Sequence, residues 1–210
     1  LPIYTIINLT QSNSLLYGFK SKSEYYQVFN SSFKNNKYGI WLGGVGADAS
    51  GGGGHSGFTN VLINNSNTSI YLYAEGNGWS NEVRFKDLNI INSTDYDIYD
   101  DREAGDEYIY LLNATYNMSK EYEFADYIVR QWYYSAYVND TNGNNVSNAN
   151  VTVYDIFGTK QFNLTTGANG KTGTAIILDY INSGGDRAYY SNYTINTNNI
   201  SLSESNSLNI

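Results

Sequence analysis

Seven carboxylates fall within thirteen residues, Asp95, Asp97, Asp100, Asp101, Glu103, Asp106 and Glu107, and they surround a single cation, Arg102. An oxygen-rich set of this density suits a hard cation such as Ca²⁺, for which Asp95, Asp97, Asp100 and Asp101 are the candidate ligands. Two of the same carboxylates, if held on adjacent strands facing one groove, would also serve as the acid and base of a glycosidase. Most of them fall between residues 100 and 107, and the reading preferred here is a solvated turn at a junction, with calcium second and catalysis last. No cofactor other than that cation is expected.

The rest of the chain offers little further chemistry. There is no cysteine, so disulfide frameworks, thiol catalysis and cysteine-bound zinc are excluded. The one histidine, His55, cannot by itself build a histidine metal cluster, and it sits in a glycine-rich run, residues 43–57, that lacks the Lys-Ser/Thr end of a phosphate cradle. That run is read as a long side loop with an exposed His55. Asp140-Thr-Asn-Gly-Asn144 echoes a calcium loop without its distal Glu and fits a strand turn better. Trp41, Tyr71, Tyr73, Trp79, Tyr96 and Tyr99 could line a sugar-stacking face, or pack in a core or subunit interface, which is preferred. The expectation is a non-enzymatic protein.

Asparagine is the most abundant chemical handle. Acceptor sequons Asn-x-Ser/Thr begin at Asn8, Asn30, Asn64, Asn67, Asn92, Asn113, Asn117, Asn139, Asn145, Asn150, Asn163, Asn192 and Asn199. With 30 Asn and 36 Ser plus Thr in 210 residues, chance gives roughly five, so N-linked glycans are expected on several of the thirteen. An Asn- and Thr-rich β protein also makes sequons as a by-product of turns. Either way the compartment is outside the cell, and a cysteine-free exported chain is unlike disulfide-dense ectodomains.

These groups must be positioned by strands. Twenty-two Tyr, eighteen Ile and the Ser/Thr content favour sheets, twenty Gly and the Asn supply turns, and one Pro and eleven Ala leave few helices. At most one short helix is expected, over residues 118–127. A net charge of -8 repels nucleic acid and anionic lipid, so neither is an expected partner, and no apolar run is long enough to span a membrane. Residue 1 is Leu rather than Met, as in a processed chain, and residues 1–9 lack the features of a signal peptide. They read as a first strand or cap, or as a strand added to a neighbour's sheet.

Residues 28–42, 61–72 and 85–99 share one cadence: an apolar stretch, an Asn turn, then a second apolar strand. The steps from Ile40 to Ile70 to Ile98 are 30 and 28 residues, the length of one solenoid coil, in which aliphatic side chains stack inward and turn Asn residues form amide ladders. Residues 106–116 supply a last coil or cap. The segment 20–120 resembles the right-handed parallel β-helix repeats of pectin-lyase-like proteins, particularly those in large archaeal surface proteins.

From Ile128 the strands shorten and turn signals recur. Trp132, Tyr134, Ala136 and Val138 alternate onto one face, and Ala149-Asn-Val-Thr-Val153 follows the Asp140–Gly143 turn. This phrase, with Thr165-Thr-Gly-Ala-Asn-Gly170, resembles bacterial Ig-like and carboxypeptidase-regulatory-like modules, and residues 96–110 with 129–133 resemble the junction between β-helix and such a module. The expected architecture is all-β: a short right-handed parallel β-helix with an N-terminal strand over 1–126, then an Ig-like β-sandwich over 127–210. The resemblance implies an extracellular structural cell-surface glycoprotein, a subunit of a filament, sheath or surface layer, with adhesion a close relative of that role and with self-association or other surface subunits as partners. The competing expectation is a carbohydrate-active enzyme or carbohydrate-binding module on the same scaffold.

Overall fold

A computed structural model describes residues 4–22, 26–44, 56–74, 82–102, 108–123, 126–199 and 202–210. Among these the protein is all-β, with no α-helix and therefore no helix long and apolar enough to cross a membrane. The chain forms two compact units, Leu1–Arg130 with Ile181–Arg187, and Gln131–Tyr180 with Ala188–Ile210.

The first unit is built from β1 (Tyr4–Ile7), β2 (Thr10–Ser12), β3 (Tyr17–Ser21), β4 (Tyr26–Lys34), β5 (Tyr38–Gly44), β6 (Ser56–Asn64), β7 (Thr68–Ala74), β8 (Val83–Ile91), β9 (Tyr96–Asp101), β10 (Tyr108–Leu112), a 3-10 turn η1 (Met118–Lys120) and β11 (Glu121–Glu123). The chain alternates between two parallel sheets. One begins β1-β4-β6-β8-β10, with β2 also on β4, and runs on through later strands of the chain, and the other runs β11-β9-β7-β5-β3. Ile40 pairs with Ile70 and Ile70 with Ile98, as the 30- and 28-residue steps predict.

Local chemistry explains the bends. In β4 Tyr26 and Val28 are buried, and so are Ser31 and Phe33, a switch from even to odd numbers that strict strand alternation forbids. Asn30 lies between them with φ 50°, in the left-handed region that Asn tolerates best among non-glycine residues, and it resets the alternation. Asn60 (φ 54°) does the same between Phe58 and Val61, and Asp87 (φ 55°) between Phe85 and Leu88. A second left-handed corner follows five residues later, at Asn35, Asn65 and Asn92. The corners stack: Asn60 Nδ2 donates to Asn30 Oδ1 at 2.8 Å, Asn35 to Asn13 at 2.8 Å, Asn65 to Asn35 at 3.2 Å, and Asn113 to Asp87 at 2.7 Å.

Between the sheets, Val28, Phe58, Phe85 and Leu111 share one level, Phe33, Ile63 and Ile90 another, all nearly fully buried. Phe58 and Phe85 stack at 4.9 Å with planes 9° apart. Small residues close the second corner: a Cβ on Gly39 would lie 2.4 Å from Ile63 Cγ2 and 2.7 Å from the Ser69 carbonyl, so only glycine fits.

Two expectations need correction. The short helix over 118–127 reduces to η1, capped by Asn117 Oδ1 accepting the Ser119 N–H, because Glu121–Glu123 pairs in parallel with Ile98–Asp100 instead. Asp100 and Asp101 are not in a turn: both belong to β9, where the parallel ladder to β7 sets their orientation. The N-terminal residues Tyr4–Ile7 pair with Tyr26–Phe29 of their own chain.

The remaining strands are β12 (Tyr127–Tyr134), β13 (Asn150–Tyr154), β14 (Lys160–Thr165), β15 (Ala175–Ser183), β16 (Asp186–Tyr189), β17 (Tyr193–Asn199) and β18 (Leu202–Leu208). In the second unit β14-β13-β17-β18 form an antiparallel sheet. Tyr134, Val151, Val153, Ile177 and Tyr193 make its core, with Trp132, Ala136 and Val138 packed against it. Two turns repeat one design. Asp140 Oδ1 accepts the N–H groups of Asn142 and Asn144 ahead of Gly143 (φ 84°), and Asp155 Oδ1 those of Phe157 and Thr159 ahead of Gly158 (φ 76°). The hydrogen bonds from Asn144 hold the Asp140 carboxyl below its usual range.

Candidate functional site

The four candidate calcium ligands go to different partners. Asp95 is exposed in the turn before β9. Asp97 is buried and accepts the Asn117 N–H at 2.6 Å. Asp100 points inward, whereas Asp101 points to the opposite face, where it accepts from Tyr71 Oη at 3.4 Å. Glu103, Asp106 and Glu107 lie outside the described residues, as do His55 and Trp79. Among the described residues no three acidic or histidine side chains converge as cation ligands.

The inward acids instead build a buried ion cluster. Leu42, Leu72, Asp100 and Glu123 occupy one level of the second sheet, so an aliphatic column becomes ionic at its last two strands. Arg102, 1% exposed, donates from Nε and Nη2 to the two Asp100 oxygens, each at 2.7 Å, and lies 3.3 Å from Asp126. A bidentate arrangement of this kind is the geometry that makes a buried pair tolerable. Glu123 accepts the N–H groups of Asp126 and Gly184. Glu121 accepts from Tyr116 Oη at 2.5 Å, Asn182 Nδ2 at 2.6 Å and Arg187 Nη2 at 3.0 Å. Sequence reading missed Glu121, Glu123, Asp126 and Arg187, whose partners lie up to 69 residues away. The cluster lies at the β11 end of this sheet.

The outward side of the same sheet is aromatic. Lys20, Trp41, Tyr71, Tyr99 and Tyr122 occupy one level on five successive strands. Tyr71 and Tyr99 stack at 5.4 Å and 5°, Tyr99 and Tyr122 at 4.7 Å and 13°, and Trp41 and Tyr71 at 6.4 Å and 16°. Tyr17, Tyr38, Tyr73 and Tyr96 flank this row within ring-contact distance. Lys20 Nζ lies 4.3 Å from the Tyr17 ring centre and 4.5 Å from that of Trp41. Burial, reinforced by the Asp101 charge, pushes the Tyr71 hydroxyl up to about 12, and the same two causes raise Tyr99. Of the six aromatics singled out by type, five lie on this face; Tyr17, Tyr38 and Tyr122 were missed, although register alone aligns Tyr122 with Tyr99.

The sequon asparagines are never buried. Asn8, Asn30, Asn67, Asn92, Asn113, Asn117, Asn139, Asn145, Asn163 and Asn192 are exposed, while Asn64, Asn150 and Asn199 are half-buried. Asn8, Asn30, Asn92, Asn113 and Asn192 hold left-handed backbone, so the corner chemistry that places an Asn also exposes it. No sequon begins within β3, β5, β7, β9 or β11.

No family model matches the chain, and neither a curated protein nor a solved structure matches it.

Proposed function

We propose that the chain is an extracellular structural glycoprotein of the cell surface, a subunit of a filament, sheath or surface layer, in which a short parallel β-helix precedes an Ig-like sandwich. The observation that carries this reading is the in-register stack of the first unit, where side chains of equivalent type lie on top of one another inside, at the asparagine corners and on the aromatic face. Such repetition rigidifies a scaffold and presents a regular outer surface; it does not gather different functional groups around one reacting atom. N-glycans on the exposed sequons fit the same role, as does a partner that is another copy or another surface subunit.

A carbohydrate-binding reading draws on the aromatic face. Sugars stack on open ring faces, and here Tyr71 and Tyr99 cover one another's faces within the row. That argues for packing rather than for a sugar platform.

Electron microscopy of protein purified from its native source, with intact-mass measurement, tests the proposal. Ordered assemblies and a mass above that of the unmodified chain by whole glycan increments are expected. Dispersed, unmodified monomers at high concentration overturn it.

A further inference from the structure

The aromatic face of the second sheet combines three properties. It carries eight Tyr and Trp rings, the residue types most enriched at protein interfaces, of which Tyr96 and Tyr122 are each 37% exposed. It is the sheet of the first unit whose strands hold no sequon, so glycans on the asparagine corners would leave it bare. Its charges are polarised along the stacking direction. At the β3 end stand Lys20 and, one residue past the strand, Lys22, which lies 6.0 Å from the Trp41 ring centre. At the β9 end stands Asp101, level with Tyr73 and Gly43 across the sheet.

A face with a positive end and a negative end is self-complementary to a copy turned end for end. A two-fold axis lying in the interface and parallel to the strands reverses the order of strands but keeps position along each strand. Centred between β5 and β7, it places β3 of one copy over β9 of the other and β5 over β7. Lys22 continues its strand to the level of Gly43, the level Asp101 holds on β9, so each copy's Lys22 meets the other's Asp101. Lys20 then meets Tyr99, and Tyr71 comes over the Trp41 position, where the indole itself is only 9% exposed.

We infer that the aromatic face docks a second copy of this chain, face to face with the order of strands reversed and Lys22 opposite Asp101 at both ends. This rests on the structural-subunit reading above and names the contact through which subunits pair. An extended polysaccharide is the competing occupant.

The absence of native cysteine makes the test direct. Single variants Lys22→Cys and Asp101→Cys are prepared, and each is oxidised alone and in an equal mixture. The mixture is expected to form a disulfide-linked heterodimer at least ten times faster than either variant alone, because only the mixed pair is juxtaposed. In parallel, sedimentation of the charge variants reads affinity. Lys22→Glu should weaken dimerisation about tenfold, and Lys22→Glu combined with Asp101→Lys should recover it to within about threefold. Circular dichroism on every variant verifies that the fold is kept. A dimer whose affinity and cross-linking ignore both positions overturns this contact while leaving the assembly proposal standing. A monomer at all concentrations that also fails to form ordered material overturns both. A monomer that binds a soluble polysaccharide through Tyr71 and Tyr99 overturns the inference in favour of the competitor.

Discussion

Two halves of one inward level of the second sheet are filled by opposite chemistry. At β5 and β7 the position is Leu42 and Leu72; at β9 and β11 it is Asp100 and Glu123, with Arg102 and Asp126 beside them. Where the ladder of this sheet stops, at β11, aliphatic side chains, which a further apolar strand would extend, have given way to a charged set held within its own unit.

The contrast is broken most severely at Arg102. Arg102→Met should cost about 3–5 kcal/mol, since it leaves the Asp100 and Asp126 carboxylates buried without their cation. Urea unfolding reads the loss. Adding Asp100→Leu to that variant, which extends the Leu42–Leu72 column by one level, should recover part of it; a further loss would mean that the two levels are not equivalent. At the aliphatic level, Leu72→Ala should cost about 3 kcal/mol through lost burial and a cavity, with no change in acid sensitivity.

The second unit supplies a pH handle. Tyr193 is fully buried, its hydroxyl donates to the Leu178 carbonyl at 2.6 Å, and burial pushes its pKa up to about 12. The folded state therefore favours the neutral phenol. The resulting stability is complete below the unfolded value near 10 and is lost as pH rises toward 12, an effect on the order of 1–2 kcal/mol. Thermal unfolding between pH 9 and 12 should show this loss, and Tyr193→Phe should remove Tyr193's share of the slope.

The smallest effect is expected at the corners. Asp87 occupies a position held by Asn30 and Asn60 on neighbouring strands, and a carboxylate there accepts from Asn113 but cannot donate to Asn60. Asp87→Asn supplies that donor and should raise stability by about 0.5–1 kcal/mol at pH 7. An unchanged or lower unfolding midpoint would mean that the ladder is not continuous through β8.

Much of this order is written in the sequence. Apolar residues at 30- and 28-residue steps give the register of Ile40, Ile70 and Ile98, because parallel in-register strands convert sequence period directly into stacking. The left-handed corners are less legible. Asn30 sits inside a sequon and between apolar residues, so it reads equally as a glycan acceptor, a turn or an ordinary strand position, and Asp87 hides the third copy behind a different residue. The ion cluster is nearly invisible: acid density marks Asp95 to Glu107, yet whether Asp100 or Asp101 faces inward depends on a single step of strand phase. Its partners Asp126 and Arg187 are brought in by chain segments with no local pattern in common. The aromatic face falls between these cases, since residue type marks Trp41 and Tyr71 but only the register joins them to Tyr122.

Cryo-electron microscopy of the assembled protein is the most direct test of the central claim, that copies pair sideways through the aromatic face of a stack ended by its own charges. The result expected is density in which Tyr71 and Tyr99 of one copy lie over the Trp41 and Lys20 positions of another, and the ladder of the second sheet stops at β11. Strands of a neighbouring copy continuing that ladder beyond β11, with the aromatic row open to solvent, would contradict it.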